Sequence, residues 1–112
     1  MIAIIDYDAG NLRSVEKALD ALGEQPVISR DEKTILSADR VILPGVGSFG
    51  DAMGKLRQYG LVDVIHRVTD QGTPFLGICL GLQLLFERSG ESEGVPGLGI
   101  LPGEIVKFPD TP

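Results

Sequence analysis

Cysteine and histidine each occur once in this chain of 112 residues. A single cysteine leaves no internal disulfide framework, and one cysteine with one histidine falls short of the usual zinc-ligand sets. Basic residues are scarce as well: 10 Lys and Arg stand against 16 Asp and Glu, for a formal net charge of −6. With no cluster of Lys and Arg, the chain lacks the electrostatic footprint of a nucleic-acid binder, so small molecules or another protein are the expected partners. Long apolar runs are missing too. Met1 to Ile5 is apolar, but Asp6 and Asp8 follow at once without a basic flank, and so short a run is neither a signal peptide nor a membrane span. The expectations are a cytoplasmic chain with no metal, no cofactor and no contact with membrane or nucleic acid. Internal repeats, low-complexity linkers and the G-x-x-x-x-G-K-[ST] phosphate loop are also absent.

What is present can fill one core. The chain is 43% hydrophobic, and its length suits one domain better than two. Ile2-Ala3-Ile4-Ile5 reads as a strand covered on both faces. Leu12, Val15, Leu19 and Leu22 recur at helical spacing up to a stop at Gly23. Gln25 to Ile28 and Val41 to Leu43 are strand candidates, with one helical turn expected over Asp31 to Leu36. Helical patterns cover about Gly50 to Gln58 and Leu61 to Asp70. Phe75 to Ile78 is the next strand, and Leu80 to Phe86 begins the next helix. Alternation of this kind predicts an α/β fold of three layers, a mostly parallel sheet with helices on both faces. Glu87 to Gly103, with its five glycines, reads as loop, and Glu104 to Phe108 as a final strand. The ending Phe108-Pro109-Asp110-Thr111-Pro112 has no capping helix or charged tail and looks cut rather than finished.

The lone Cys79 sits in Gly77-Ile78-Cys79-Leu80-Gly81, after a strand pattern and before a helix pattern. A lone cysteine is most often a small buried apolar residue. Here, however, glycines occupy the positions two residues either side, as the sharp turn of a nucleophile elbow requires. The start of a helix also favours the thiolate, which is the attacking form.

Ligands of open parallel sheets gather at the carboxyl ends of the strands. Two loops are expected to meet there, Pro44 to Gly50 and the Cys79 turn. Gly45-Val46-Gly47 can turn backbone N–H groups toward a ligand and form half of an oxyanion hole. The same segment spells G-x-G-x-x-G through Gly50. A dinucleotide site also needs an acidic residue at the end of the next strand, about 20 residues on. Asp63 and Asp70 fall in the helical stretch instead. His66, mid-helix in that stretch, is not expected to reach the carboxyl edge. Glu16, Lys17, Asp20 and Lys33 read as solvated faces.

With the elbow and the Pro44-Gly45-Val46-Gly47 loop together, the chain resembles the class I glutamine amidotransferases, a flavodoxin-like fold. Within them it is most similar to the glutaminase subunits of histidine biosynthesis that serve imidazole glycerol phosphate synthases. The resemblance rests on Asp6-Tyr7 with Gly10-Asn11-Leu12, on Pro44 to Gly50, on Gly77 to Gln83 continuing to Phe86-Glu87, and on Gly97-Leu98-Gly99 before Gly103. It implies that Cys79 attacks the side-chain amide of glutamine, releasing ammonia and then glutamate. Gly45, Val46, Gly47 and Leu80 would hold the oxyanion, and Gly47 and Gln83 would bind glutamine. The implied partner is a cyclase subunit that receives the ammonia in a heterodimer, with Asn11 near that interface. Asp8 stands where the family commonly has glycine, which bears on the shape of its loop. Family members also carry a histidine and a glutamate farther along, which these residues do not reach. Residues 1–112 are therefore expected to be the N-terminal part of one amidotransferase domain and to have little or no glutaminase activity alone. A complete non-catalytic module that binds a cyclase or glutamine, another class I amidotransferase, and a nucleotide-binding α/β domain remain as alternatives.

Overall fold

The computed structural model describes residues 1–106. Four parallel strands form the sheet: β1 (Ile2–Ile5), β2 (Pro26–Ser29), β3 (Arg40–Leu43) and β4 (Phe75–Gly77), in the order β2-β1-β3-β4. The register sets Ile4 opposite Ile28 on one side and Ile42 on the other, and Ile42 opposite Leu76. The interior position of β1 explains its unbroken apolar run, since a strand with neighbours on both edges and cover on both faces meets no solvent. All four of its residues are buried.

The helices are α1 (Leu12–Ala21), α2 (Glu32–Ser37), α3 (Phe49–Gln58), α4 (Leu61–Asp70) and α5 (Leu80–Leu84). Their starts are written in the chain. Asp31 accepts the Thr34 N–H at 3.0 Å ahead of α2, and Ser48 accepts the Asp51 N–H at 3.2 Å ahead of α3, each satisfying a donor that the first turn leaves free. Gly60, at φ +67°, makes the left-handed turn that separates α3 from α4.

Period-two alternation sorts the strands between two cores. Ala3, Ile5, Val41 and Leu43 face α2 to α5 and pack with Phe49, Leu56, Ile65 and Leu84. Ile2, Ile4 and Ile42 face α1 and meet Val15, Leu12 and Leu19. The result is the expected three-layer α/β arrangement with unequal outer layers. On the α1 side the sheet beyond β1 is thinly covered: Leu76 is 55% exposed, and an apolar groove of about 260 Å³ runs among Ile2, Leu19, Ile42, Phe75 and Leu76. Among the described residues β4 has β3 as its one strand neighbour.

Three expectations change. Leu22 was assigned to the apolar face of the first helix but caps its end at 77% exposure. The glycine-rich stretch after Phe86 contains β5 (Arg88–Ser89), paired in parallel with β6 (Glu104–Ile105) and fastened by an Arg88–Glu104 ion pair at 2.6 Å. The stretch is also anchored, because Leu98 is buried and its N–H donates to the Leu84 carbonyl. The helix expected over Leu80 to Phe86 ends at Leu84. The last two residues of the expected Glu104 to Phe108 strand, and the ending through Pro112, lie outside the described residues.

Candidate active site

Because all four strands run the same way, the loops that follow β1, β3 and β4 open at one edge of the sheet. The chain leaves β1 toward β2 on one side while β3 lies on the other, so strand order reverses between β1 and β3. Such a reversal opens a crevice between diverging loops. The Asp6 to Asn11 loop, the Pro44 to Ser48 loop and the Cys79 turn all lie at this edge.

Cys79 is exposed and stands between β4 and α5 at φ +55°, ψ −124°. A side chain in that region costs on the order of 1–3 kcal/mol, a strain that persists only when surrounding bonds fix it. Here the Ile78 N–H donates to Leu43 O (3.0 Å), Gly81 N–H to Ile78 O (2.9 Å) and Leu82 N–H to Cys79 O (3.0 Å). The flanking glycines are sterically required. A Cβ on Gly77 would lie 2.7 Å from Leu82 Cα, and one on Gly81 would lie 2.8 Å from the Leu43 carbonyl carbon and closer still to its oxygen. The turn thus lies against β3 with no room for side chains on either flank.

The second loop lies directly against the first. The Leu80 N–H donates to the Gly45 carbonyl at 3.2 Å. Gly45 is buried where a Cβ would come within 2.7 Å of Gly81 N and 3.0 Å of Leu80 Cβ. Val46 and Gly47 are exposed, Gly47 at φ +92°, and among the described residues their N–H groups have no protein partner. A cleft of about 230 Å³ lies between this loop and the Asp6 to Asn11 loop, lined by Tyr7, Asp8, Val46, Gly47, Asp51 and Lys55. Gln83 is half-buried one helical turn after Cys79. Of the expected oxyanion groups, Gly45 touches the cysteine turn and Leu80 belongs to it, the Leu80 N–H being engaged by the Gly45 carbonyl, while Val46 and Gly47 follow in the same loop and line the cleft.

His66 lies half-buried in the middle of α4, its carbonyl accepting the Thr69 hydroxyl at 3.0 Å. Among the described residues the Cys79 thiol has no hydrogen-bond partner, and it is exposed. Asp63 and Asp70 lie in the first and last turns of α4, away from any strand end. Lys17, Asp20 and Lys33 are exposed, and Glu16 pairs with Arg13 at 2.8 Å. Among the described residues no group of three or more His, Cys, Asp or Glu is arranged to hold a metal ion, and no helix is long and apolar enough to cross a membrane.

The first loop accounts for Asp8. Its φ is +69°, the region glycine enters freely and aspartate more readily than most residues. The carboxylate is held there from three sides: by the Tyr59 hydroxyl, by Arg30 at 3.1 Å and by Lys55 at 3.4 Å. Arg30 also lies over the Tyr59 ring, 3.9 Å from its centre, and pairs with Asp6 at 3.2 Å. The Tyr59 hydroxyl, then Arg30 and Lys55, hold the Asp8 carboxyl below its ordinary pKa, and the Thr34 hydroxyl and N–H do the same for Asp31. A lowered folded-state pKa means stability that is present above the ordinary value near 3.8 and lost as pH falls through the lowered one. The melting temperature is therefore expected to hold between pH 7 and about 5 and to drop below about pH 4, less steeply in Asp8→Asn/Asp31→Asn. A thermal melt series across that range checks it. Among the described residues Asn11, ahead of α1, makes no cap bond and its buried Oδ1 has no partner.

Several residues at this edge carried no signal of their own in the sequence. Tyr7 is not among them, since it stands in the Asp6-Tyr7 stretch that carries part of the resemblance, and Ala3, Ile5 and Tyr7 keep the strand's alternation past its end and enter the same core. Arg30, Lys55 and Tyr59 had no signal, because Arg30 follows β2 while Lys55 and Tyr59 come from α3 and its C-terminal cap, both far from Asp8 in the sequence.

The family profile described as "Glutamine amidotransferase class-I" matches residues 3–108. The imidazole glycerol phosphate synthase subunit HisH of Bacillus cereus (strain G9842) is 58% identical over 108 residues, 96% of this chain and 52% of that protein. The Synechococcus elongatus subunit of the same name is 53% identical over 111 residues, covering 99% and 51%. The Methanocaldococcus jannaschii subunit is 50% identical over 110 residues, covering 98% and 55%. The chain thus spans about half the length of the curated relatives it matches. Among solved structures, one described as a glutamine amidotransferase superposes with a TM-score of 0.79 at 22% identity, over 95% of this chain and 56% of that one. A putative peptidase E from Listeria monocytogenes EGD-e gives 0.71 at 13% identity, over 89% and 62%. At those identities the two structures speak for the fold.

Proposed function

Since the chain belongs to the class I glutamine amidotransferases, we propose that it is the nucleophile-bearing part of a glutaminase that supplies ammonia to the cyclase subunit of an imidazole glycerol phosphate synthase. The observation that carries this reading is Cys79 itself, exposed at φ +55° on a turn that Gly81 lets lie against β3 and Gly77 lets fold back on the start of α5. The Cys79 sulfur attacks the side-chain carboxamide carbon of glutamine. The C–N bond breaks and ammonia leaves with a transferred proton. Water then cleaves the thioester, giving glutamate and the free thiol.

The oxyanion formed in the first step falls to backbone donors. Among the described residues the Val46 and Gly47 N–H groups have no protein partner, whereas the Leu80 N–H must first leave the Gly45 carbonyl. Each such donor is typically worth about 3 kcal/mol in the transition state. Gly47 and Gln83 hold the glutamine, and Asn11 lies toward the cyclase. The general base and its orienting carboxylate belong to the part of the relatives that this chain does not match, and loss of a base from such a unit typically costs about 10⁴-fold.

Two preparations test this. The 112-residue chain alone is expected to release no ammonia from glutamine. Joined to the unmatched second half of the Bacillus cereus relative and mixed with a cyclase subunit, it is expected to release ammonia in a manner abolished by Cys79→Ser. A folded, cyclase-bound joined protein that releases none overturns the proposal. Release that survives Cys79→Ser also overturns it.

A further inference from the structure

We propose that Tyr7 is a positioning residue for the glycine loop: its buried hydroxyl, donated to the Pro44 carbonyl, fixes the peptide ahead of Gly45 and thereby holds the loop in place over the Cys79 turn. Calling it positioning for catalysis rests on the glutaminase reading; the anchoring itself does not.

The argument begins with how few handles this loop offers. Pro44 has no N–H to donate, and Gly45 has no side chain. Of the groups left, the two successive carbonyls are the ones engaged, the Gly45 N–H having no partner among the described residues. The Gly45 carbonyl is taken by the Leu80 N–H at 3.2 Å. The Pro44 carbonyl is taken by Tyr7, whose hydroxyl is its one partner among the described residues. Pro44 is buried and Tyr7 is 3% exposed, so no solvent competes for either group. Burial also pushes the Tyr7 phenol upward in pKa, which keeps it a donor throughout the neutral range.

The packing is as specific as the hydrogen bond. A Cβ at Gly45 would lie 2.5 Å from the Tyr7 hydroxyl oxygen and 2.7 Å from Gly81 N. The end of β1, the glycine loop and the cysteine turn therefore converge on one point, and Gly45 is the residue small enough to occupy it. Tyr7 reaches that point because it continues the inward alternation of Ala3 and Ile5. Without its hydroxyl the Pro44 carbonyl is left buried and unpaired, and the Gly45 peptide is held at one end only.

Amide hydrogen exchange on Tyr7→Phe decides the matter, since phenylalanine keeps the ring and removes the bond. The Leu80 amide, donated to Gly45, is expected to exchange about tenfold faster than in the unaltered chain. The Asp6 amide, donated to Ser29, and the Gln71 amide, donated to Arg67 at the end of α4, are expected to stay within about twofold. A folded variant in which all three accelerate alike shows general loosening and overturns the proposal, as does an unchanged Leu80. Should Tyr7→Phe fail to fold, the unaltered chain with ¹³Cζ-labelled tyrosine in mixed H₂O and D₂O serves instead. Resolved protonated and deuterated lines for Tyr7, beside an averaged line for Tyr59, support a held hydroxyl, and averaging at both overturns it. Neither measurement needs glutamine turnover, so an inactive joined glutaminase with a selective Leu80 response sinks the proposed function and leaves the anchor, and the reverse result does the opposite.

Discussion

Gly81→Ala is expected to cost about 3 kcal/mol or more, enough to leave a marginal domain largely unfolded. The methyl group would lie 2.8 Å from the Leu43 carbonyl carbon and closer to its oxygen, with the Pro44 carbonyl carbon at 3.2 Å. All three atoms are backbone. The usual escape from overpacking, a neighbouring side chain changing rotamer, is unavailable, so either β3 or the start of α5 must move. Moving β3 disturbs the centre of the sheet, and moving α5 breaks the Leu80 to Gly45 bond. Gly77→Ala meets Leu82 and Gly81 backbone at 2.7–2.9 Å and is expected to behave the same way. Gly54 is the internal control. It lies exposed within α3 with nothing within 4 Å of its would-be Cβ, so Gly54→Ala is expected to stabilise by up to about 1 kcal/mol through helix propensity. Urea unfolding of the three variants gives the comparison. A Gly81→Ala midpoint equal to that of the unaltered chain contradicts the close packing of the cysteine turn on β3.

Those glycines also show why so much of the site is legible in the sequence. An elbow is a local object: strand, sharp turn and helix lie within ten residues, and its steric demands fall at fixed offsets from the nucleophile. The same locality explains the other matches. The run Ile2 to Ile5 is a central strand, Leu61 to Asp70 is a helix at the expected bounds, and Asp31 opens the one-turn helix expected after it. What the sequence hid is non-local or too short to have a period. β5 is two residues long, and its pairing with β6, the described part of the expected final strand, joins positions sixteen apart through an Arg88–Glu104 ion pair. Gly97 in that stretch is fixed by a close approach rather than a turn, since its Cβ would lie 2.9 Å from Phe49 Cζ and closer still to the Phe86 carbonyl oxygen. Leu22 continued a helical stripe that the helix itself did not continue.

The most informative miss is Asp8. Aspartate is compatible with a left-handed backbone without requiring it, and the three groups that hold it come from β2's end and from α3 and its cap. Through Asp8 the charge network fixes the loop that bears Asn11, and through Tyr7 the same loop grips Pro44. The cyclase-facing position proposed for Asn11 and the oxyanion groups proposed at Val46 and Gly47 therefore lie on two loops that the Tyr7 to Pro44 hydrogen bond ties together. Exposed ion pairs of this sort add little to stability; their effect here is on the conformation of the loop.

Cys79→Gly is expected to stabilise the fold while abolishing any reaction of the thiol. A side chain at φ +55°, ψ −124° carries about 1–3 kcal/mol of strain. Glycine relieves it and returns about 0.5–1 kcal/mol to the flexibility of the unfolded chain, leaving a net gain of about 1 kcal/mol. Cys79→Ala separates strain from chemistry. It keeps the Cβ and its strain, removes the sulfur, and loses little packing because Cys79 is exposed. Its stability is expected to match the unaltered chain. Urea unfolding ranks the three, and labelling by an electrophilic glutamine analogue, run on each variant joined to the second half of a relative, reports the thiol. Glycine more stable than alanine, with labelling lost from both, shows a backbone held in an unfavourable state that only the nucleophile's position requires. Equal stabilities for glycine and alanine mean that Cys79 is unstrained, and the case for an elbow then falls back on the two glycines alone.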